Sequence, residues 1–200
     1  MDPGNYAQWA AVLMSGVIAI LAIWGEKFRT RLAGPKIGLS LRLGTGDQHF
    51  SKEGKRALYH HILVEDQRRW SPVKHFRLLV EKIERRGPAD SYFAESLIRP
   101  LVLRFPYNLQ EVDIPEIGSP TACDLGSLDE ARGRFQLTTY HTPRTVNTAV
   151  LPGEVVRVHI VATGHNFRSK VPLVLEISWD GQWSDLAEMS PHLVIKTLSL

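Results

Sequence analysis

The chain has 200 residues, 44 % of them hydrophobic and 22 % charged, with a formal net charge of +3. That balance belongs to a folded globule rather than a disordered chain, and a single cysteine, Cys123, excludes an intrachain disulfide framework. The basic excess is not a nucleic-acid track, because residues 37–104 carry +5 and residues 105–200 carry −4.

The first element in the chain is apolar. From Tyr6 to Gly25 there are 20 residues without a charge, about the length that crosses a hydrocarbon core of roughly 30 Å as a helix. Val12, Leu13, Val17, Ile18, Ile20, Leu21 and Ile23 each favour insertion by about 0.3–0.6 kcal/mol near the centre. No Asp, Lys or Arg opposes them at about 2.5–3.5 kcal/mol each. Tyr6, Trp9 and Trp24 bracket the run where amphipathic rings prefer the headgroup zone. A cleaved signal is disfavoured by an N-terminus with Asp2 and no cation, and by a bulky basic sequence where a small-residue cleavage site would stand.

The reading is one transmembrane helix over residues 1–33, a short linker at 34–36, and a domain over 37–200. Lys27, Arg29, Arg31 and Lys36 follow the run and no cation precedes it, which places the C-terminal domain in the cytoplasm by the positive-inside rule. The location expected is the bacterial inner membrane, with the bilayer as one partner. Ala11, Ser15 and Ala19 repeat at a four-residue spacing that permits close helix packing and a homo-oligomer through the span. Gly34-Pro35 stops the helix near Leu32. A tether of about five residues reaches at most roughly 18 Å, so the domain is held close to the headgroups.

Beyond the linker the apolar period is two. IGLSLRL places Ile37, Leu39, Leu41 and Leu43 on one side of a strand, and RALYHHILV alternates Leu58, His60, Ile62 and Val64 against Tyr59, His61 and Leu63. HFRLLVEKI predicts a longer strand from about Val73 to Ile83. PLVLRF, ACDLGSL and RFQLTTY are shorter strands set apart by proline or glycine. VVRVHIVAT turns Val156, Val158, Ile160 and Ala162 inward. VPLVLEISW does the same with Val171, Leu173, Leu175, Ile177 and Trp179. Asp180–Gly181 is a turn signal, and PHLVIKTL closes the chain as a strand. Beyond the anchor, helical period is expected only in short loops such as DQHFSKEGKR. Short strands at this spacing are the signature of an all-β antiparallel sandwich or barrel.

Chemistry is sparse. Cys123 in TACDLGSL lacks the electropositive setting of a thiol nucleophile and reads as a small core side chain. His60 and His61 point to opposite faces, so they do not share a metal, and no zinc, dinucleotide or nucleotide-phosphate motif is present. Asp180 and Asp185 read as turn caps. No cofactor or metal is implied, and no catalytic residue is assigned. The suggestive surface is QRRWSP, where Arg68, Arg69 and Trp70 combine residue types enriched in binding hot spots. GHNFRSK, with Phe167 and Arg168, is a second such loop.

YHHILVED, RRWSPVKHFRLLVEKIE, CDLGSL, LPGEVVRVHIVATGHN and EISWDGQW together resemble uncharacterised bacterial single-span proteins whose soluble part is similar to immunoglobulin-like, adhesion-type sandwich modules. The resemblance implies an immunoglobulin-like fold and an interaction role, and no active-site residue. The function expected is a non-enzymatic binding or scaffolding module that recruits a protein partner to the cytoplasmic face, through loop aromatics and arginines or by strand addition at a sheet edge. The alternatives are a ligand-sensing membrane effector whose span oligomerises, an envelope-facing sandwich if the topology is reversed, and an anchored hydrolase.

Overall fold

The computed structural model describes residues 3–42, 46–50, 54–68, 73–114, 121–165 and 167–199. In the N-terminal helix the side-chain description covers residues 6, 8–20, 22, 24 and 25. Along the chain, helix α1 (Pro3–Ala33) leads into β1 (Ile37–Leu41), β2 (Asp47–Phe50), β3 (Arg56–Asp66) and β4 (Val73–Arg86). Three short strands follow, β5 (Tyr92–Ala94), β6 (Leu101–Val102) and β7 (Val112–Ile114). Next come β8 (Thr121–Asp129), β9 (Arg134–Leu137) and β10 (Ala149–Val150). The chain finishes with β11 (Val155–Gly164), β12 (Phe167–Arg168), β13 (Leu173–Trp179) and β14 (Leu193–Leu198).

The strands form two antiparallel sheets. In the first, β3 carries both β1 and β2 on one edge and β8 on the other, followed by β9 and β10. In the second the order is β14-β13-β11-β4, with β5, β6 and β7 sharing the far edge of β4. The inner faces carry the core. Leu58, Ile62 and Val64 of β3 meet Phe76, Leu78, Val80 and Ile83 of β4, and Phe105 packs edge-on against Phe76 with centroids 6.2 Å apart. The inward alternation expected for β11 holds, with Val156, Val158, Ile160 and Ala162 all buried.

One side of the sandwich is sewn shut. Val102 and Leu101 pair with Leu79 and Val80 in the second sheet. The same segment then crosses over. Leu103 N–H still donates to Leu78 O, while Arg104 N–H donates to Thr138 O and Arg104 O accepts from Asp124 N–H in the first sheet. The opposite side, between β1 and β14, has no such seam among the described residues.

Three local expectations change. The segment DQHF is not helical but forms β2, because pairing with β3 places Asp47 opposite Tyr59 and satisfies the backbone in a ladder. Val171 does not join the inward row of β13; it precedes the strand and is 65 % exposed. Asp180–Gly181 opens a connection that runs to His192, including a 3-10 turn at Leu186–Glu188, rather than a tight two-residue hairpin.

Helix α1 runs unbroken to Ala33, with Gly34 at φ +54°, a backbone conformation that favours glycine. Every described side chain from Gln8 to Ile20 is exposed, and none belongs to the sandwich core. Among the described residues no helix is long and apolar enough to cross a membrane.

Candidate functional site

The junction between helix and sandwich is built by the end of β3. Gln67 N–H donates to Lys36 O at 2.8 Å, which adds one rung beyond the Ile37–Asp66 pair. Arg68 Nη1 donates to Gly34 O at 3.0 Å, and its own N–H is held by Asp66 Oδ1 at 2.8 Å. Burial raises the Asp66 carboxyl above its usual range against the lowering pull of that N–H. Gly38 lies against Gln67, whose Nε2 stands 2.5 Å from where a Cβ would be. A linker of three residues is therefore hydrogen-bonded at both ends.

Arg68 thus acts as a brace for the linker. Arg69 and Trp70 lie outside the described residues. In the second suggestive loop, Phe167 is half-buried and packs against the core, while Arg168 pairs with Glu81. The two loops are brought to one end of the molecule. Ile37 faces Asp66, Val73 faces Ile114, and His165 N–H donates to Lys74 O, so β3, β4, β11 and β12 all turn at the end where α1 enters.

On the helix, Tyr6, Trp9 and Trp24 are 67 %, 65 % and 54 % exposed. Ala11, Ser15 and Ala19 are exposed as well, and Ser15 Oγ donates to Ala11 O at 2.8 Å, so its hydroxyl is satisfied within its own helix. Lys27, Arg29 and Arg31 lie in the last turns of α1, and their side chains fall outside the description.

A polar cluster that sequence reasoning missed sits where β1, β2, β3 and β8 meet. His61 lies between two carboxylates, with Nδ1 3.0 Å from Asp124 Oδ1 and Nε2 3.3 Å from Asp47 Oδ2. The Nδ1 contact is close but makes no hydrogen bond. Asp47 is also gripped by Arg42 at 2.8 Å. His60 points the other way and is buried, and its Nε2 finds no hydrogen-bond partner among the described residues. Desolvation, helped by the neighbouring His61 and opposed by Asp47, pulls His60 down to about 4. Its ring is neutral at pH 7. His60 borders a half-open pocket of about 120 Å³ with Met189, Ser190 and Leu193.

Cys123 is buried and its thiol is pushed well up, by desolvation first and then by the Asp124 charge, so it is not a ready nucleophile. Among the described residues no group of three or more His, Cys, Asp and Glu side chains is arranged to hold a metal ion. Asp180 caps its turn by accepting from Gln182 N–H at 2.8 Å and pairs with His192. Asp185 reaches Arg56 at 3.1 Å.

The remaining surface feature is the open side of the sandwich. Leu39, Leu41 and Leu63 of the first sheet and Ile195 and Thr197 of the second line a groove there. Each of the two flanking strands has a neighbour on one edge only among the described residues, β3 for β1 and β13 for β14. Comparison with protein-family models, with curated proteins and with solved structures finds no match in any of the three.

Proposed function

We infer that this chain is a membrane-anchored, non-enzymatic binding module. The observation that carries the reading is α1. Val12, Leu13, Met14, Val17, Ile18 and Ile20 are 49–68 % exposed, and none is covered by the sandwich. Burying such side chains is worth about 1.5–3 kcal/mol each, so six of them represent on the order of 10 kcal/mol left ungained in water. The uncharged run Tyr6–Gly25 fits lipid in length and in its aromatic ends, and a bilayer supplies the missing cover. The basic residues after the span favour the cytoplasmic side of a bacterial inner membrane for the sandwich.

The immunoglobulin-like character of the sandwich is part of this proposal and rests on the resemblance of its strand and turn pattern. The partner is a protein that offers an extended segment. Strand addition at β1 or β14 would extend a sheet and cover the apolar groove at Leu39, Leu41 and Ile195.

Two measurements test the reading. The full chain should float with vesicles, and Ile18→Arg should abolish flotation, because one arginine mid-helix opposes insertion by about 2.5–3.5 kcal/mol. A photo-cross-linker at Thr197 should give a discrete protein adduct in cells, and one at Ala131, in the far β8–β9 turn, should not. A chain that stays soluble overturns the anchor, and equal or absent adducts at both positions overturn the strand edge as the docking site.

A further inference from the structure

The end of the sandwich that receives α1 carries unpaired cations around an exposed apolar tip. Lys36 in the linker, Lys74 at the start of β4 and Lys170 before β13 are all exposed, and they make no ion pair among the described residues. Their neighbours differ. Arg168 is taken by Glu81, and Arg77 and His75 share Glu111. Val171, next to Lys170, is 65 % exposed although its residue type and position would suit the inward row of β13. The exposed carboxylate described at this end is Glu65.

The linker makes this arrangement directional. Gly34 O and Lys36 O are both hydrogen-bonded to the Gln67–Arg68 turn, so the linker is tied to the sandwich along its length. Three free lysines from the linker and the second sheet then face whatever lies around the end of α1.

We propose that this end of the sandwich is a bilayer-facing surface that binds anionic phospholipid headgroups, with Lys36, Lys74 and Lys170 supplying charge and Val171 entering the interface. The inference rests on the anchored reading of α1. Its physical basis is charge complementarity, because a negatively charged leaflet attracts each juxtamembrane lysine within a Debye length. The consequence is a fixed posture, with the loops beside α1 occupied by lipid and the β1/β14 side and the distal turns left to proteins.

The test uses the full chain in vesicles of zwitterionic lipid alone, or with about one third anionic phospholipid. An environment-sensitive fluorophore is placed on Val171→Cys, and in a separate sample on Ala131→Cys; native Cys123 is buried and stays unlabelled in the folded protein. Flotation is measured on every sample. The expected result is a blue shift and quenching by lipid-borne quencher at Val171→Cys in anionic vesicles only, with none at Ala131→Cys. The triple variant Lys36→Gln, Lys74→Gln and Lys170→Gln should lose that shift while still floating. Floating protein whose Val171→Cys label stays in water in both vesicle types overturns the proposal and leaves the anchor standing. Failure to float removes the anchor and this proposal together.

Discussion

Arg68 Nη1 and the carbonyl oxygen of Gly34 lie 3.0 Å apart, joining the β3–β4 turn to the first residue after a 31-residue helix. A hydrogen bond from a charged donor contributes about 1.5–3 kcal/mol, toward the lower figure where water competes. Replacing Arg68 by alanine should loosen the junction without melting the sandwich. Amide exchange at Gln67 and Arg68 should quicken roughly tenfold, the ratio that about 1.4 kcal/mol sets, while exchange in β11 and β13 stays unchanged. Equal acceleration everywhere would show that Arg68 supports the whole fold instead.

The buried His60 contributes to the acid side of the stability curve. Its folded value of about 4 lies below the ordinary 6.5, so between those values the unfolded chain binds the extra proton. Stability is whole above pH 6.5 and falls as the pH drops from 6.5 to 4, by about 3 kcal/mol in all. Urea titrations at pH 7, 5.5 and 4.5 should trace this loss. His60→Leu should flatten it, since leucine fills a similar space and does not titrate.

Arg85 is a structural centre with four acceptors. Its Nε meets Glu95 at 2.6 Å, its Nη1 meets Glu154 at 2.7 Å, and its Nη2 donates to the carbonyls of Asn147 and Ala149, each at 2.8 Å. Arg85→Met should cost about 2–3 kcal/mol through the lost charged hydrogen bonds, less than a fully buried pair because Glu95 and Glu154 are partly exposed. Arg85→Lys should recover little, because a single ammonium cannot reproduce the planar fork. Midpoint denaturant concentrations of the three proteins decide it.

Gly126 marks a close approach of strands. A Cβ there would stand 2.5 Å from Phe135 Cζ and 2.6 Å from Gln136 O, and the second of these atoms is backbone. Gly126→Ala should lower stability by about 2–3 kcal/mol, or roughly 4–12 °C in Tm for a chain of this size. Gly133→Ala meets open space but holds φ +59°, so it should cost only about 1 kcal/mol. Calorimetry that ranks the two the other way would refute the packing argument.

The functional reading was only partly legible in the residues. Arg68 and Phe167 stand out by composition, yet one braces a linker and the other packs on the core. Arg85 and the pair His61–Asp124 gave no local signal, because their partners lie up to 69 and 63 residues away in the chain. Position in the alternation did place His60 inward with Leu58 and Ile62; only the packing around it showed a nitrogen without a partner.

Sequence alone determined what depends on neighbours a few residues apart. It set the uncharged 20-residue run, the stop at Gly34-Pro35, and the two-residue period that names the buried face of β3, β11 and most of β13. Tertiary structure decided what depends on register and twist over long separations. It made Leu101–Phe105 a seam between two sheets and left the β1/β14 side unsewn. It also gathered two distant loops at the end where the helix arrives. Local periodicity cannot report these contacts, because each is fixed by where a strand pairs and not by the order of residues within it.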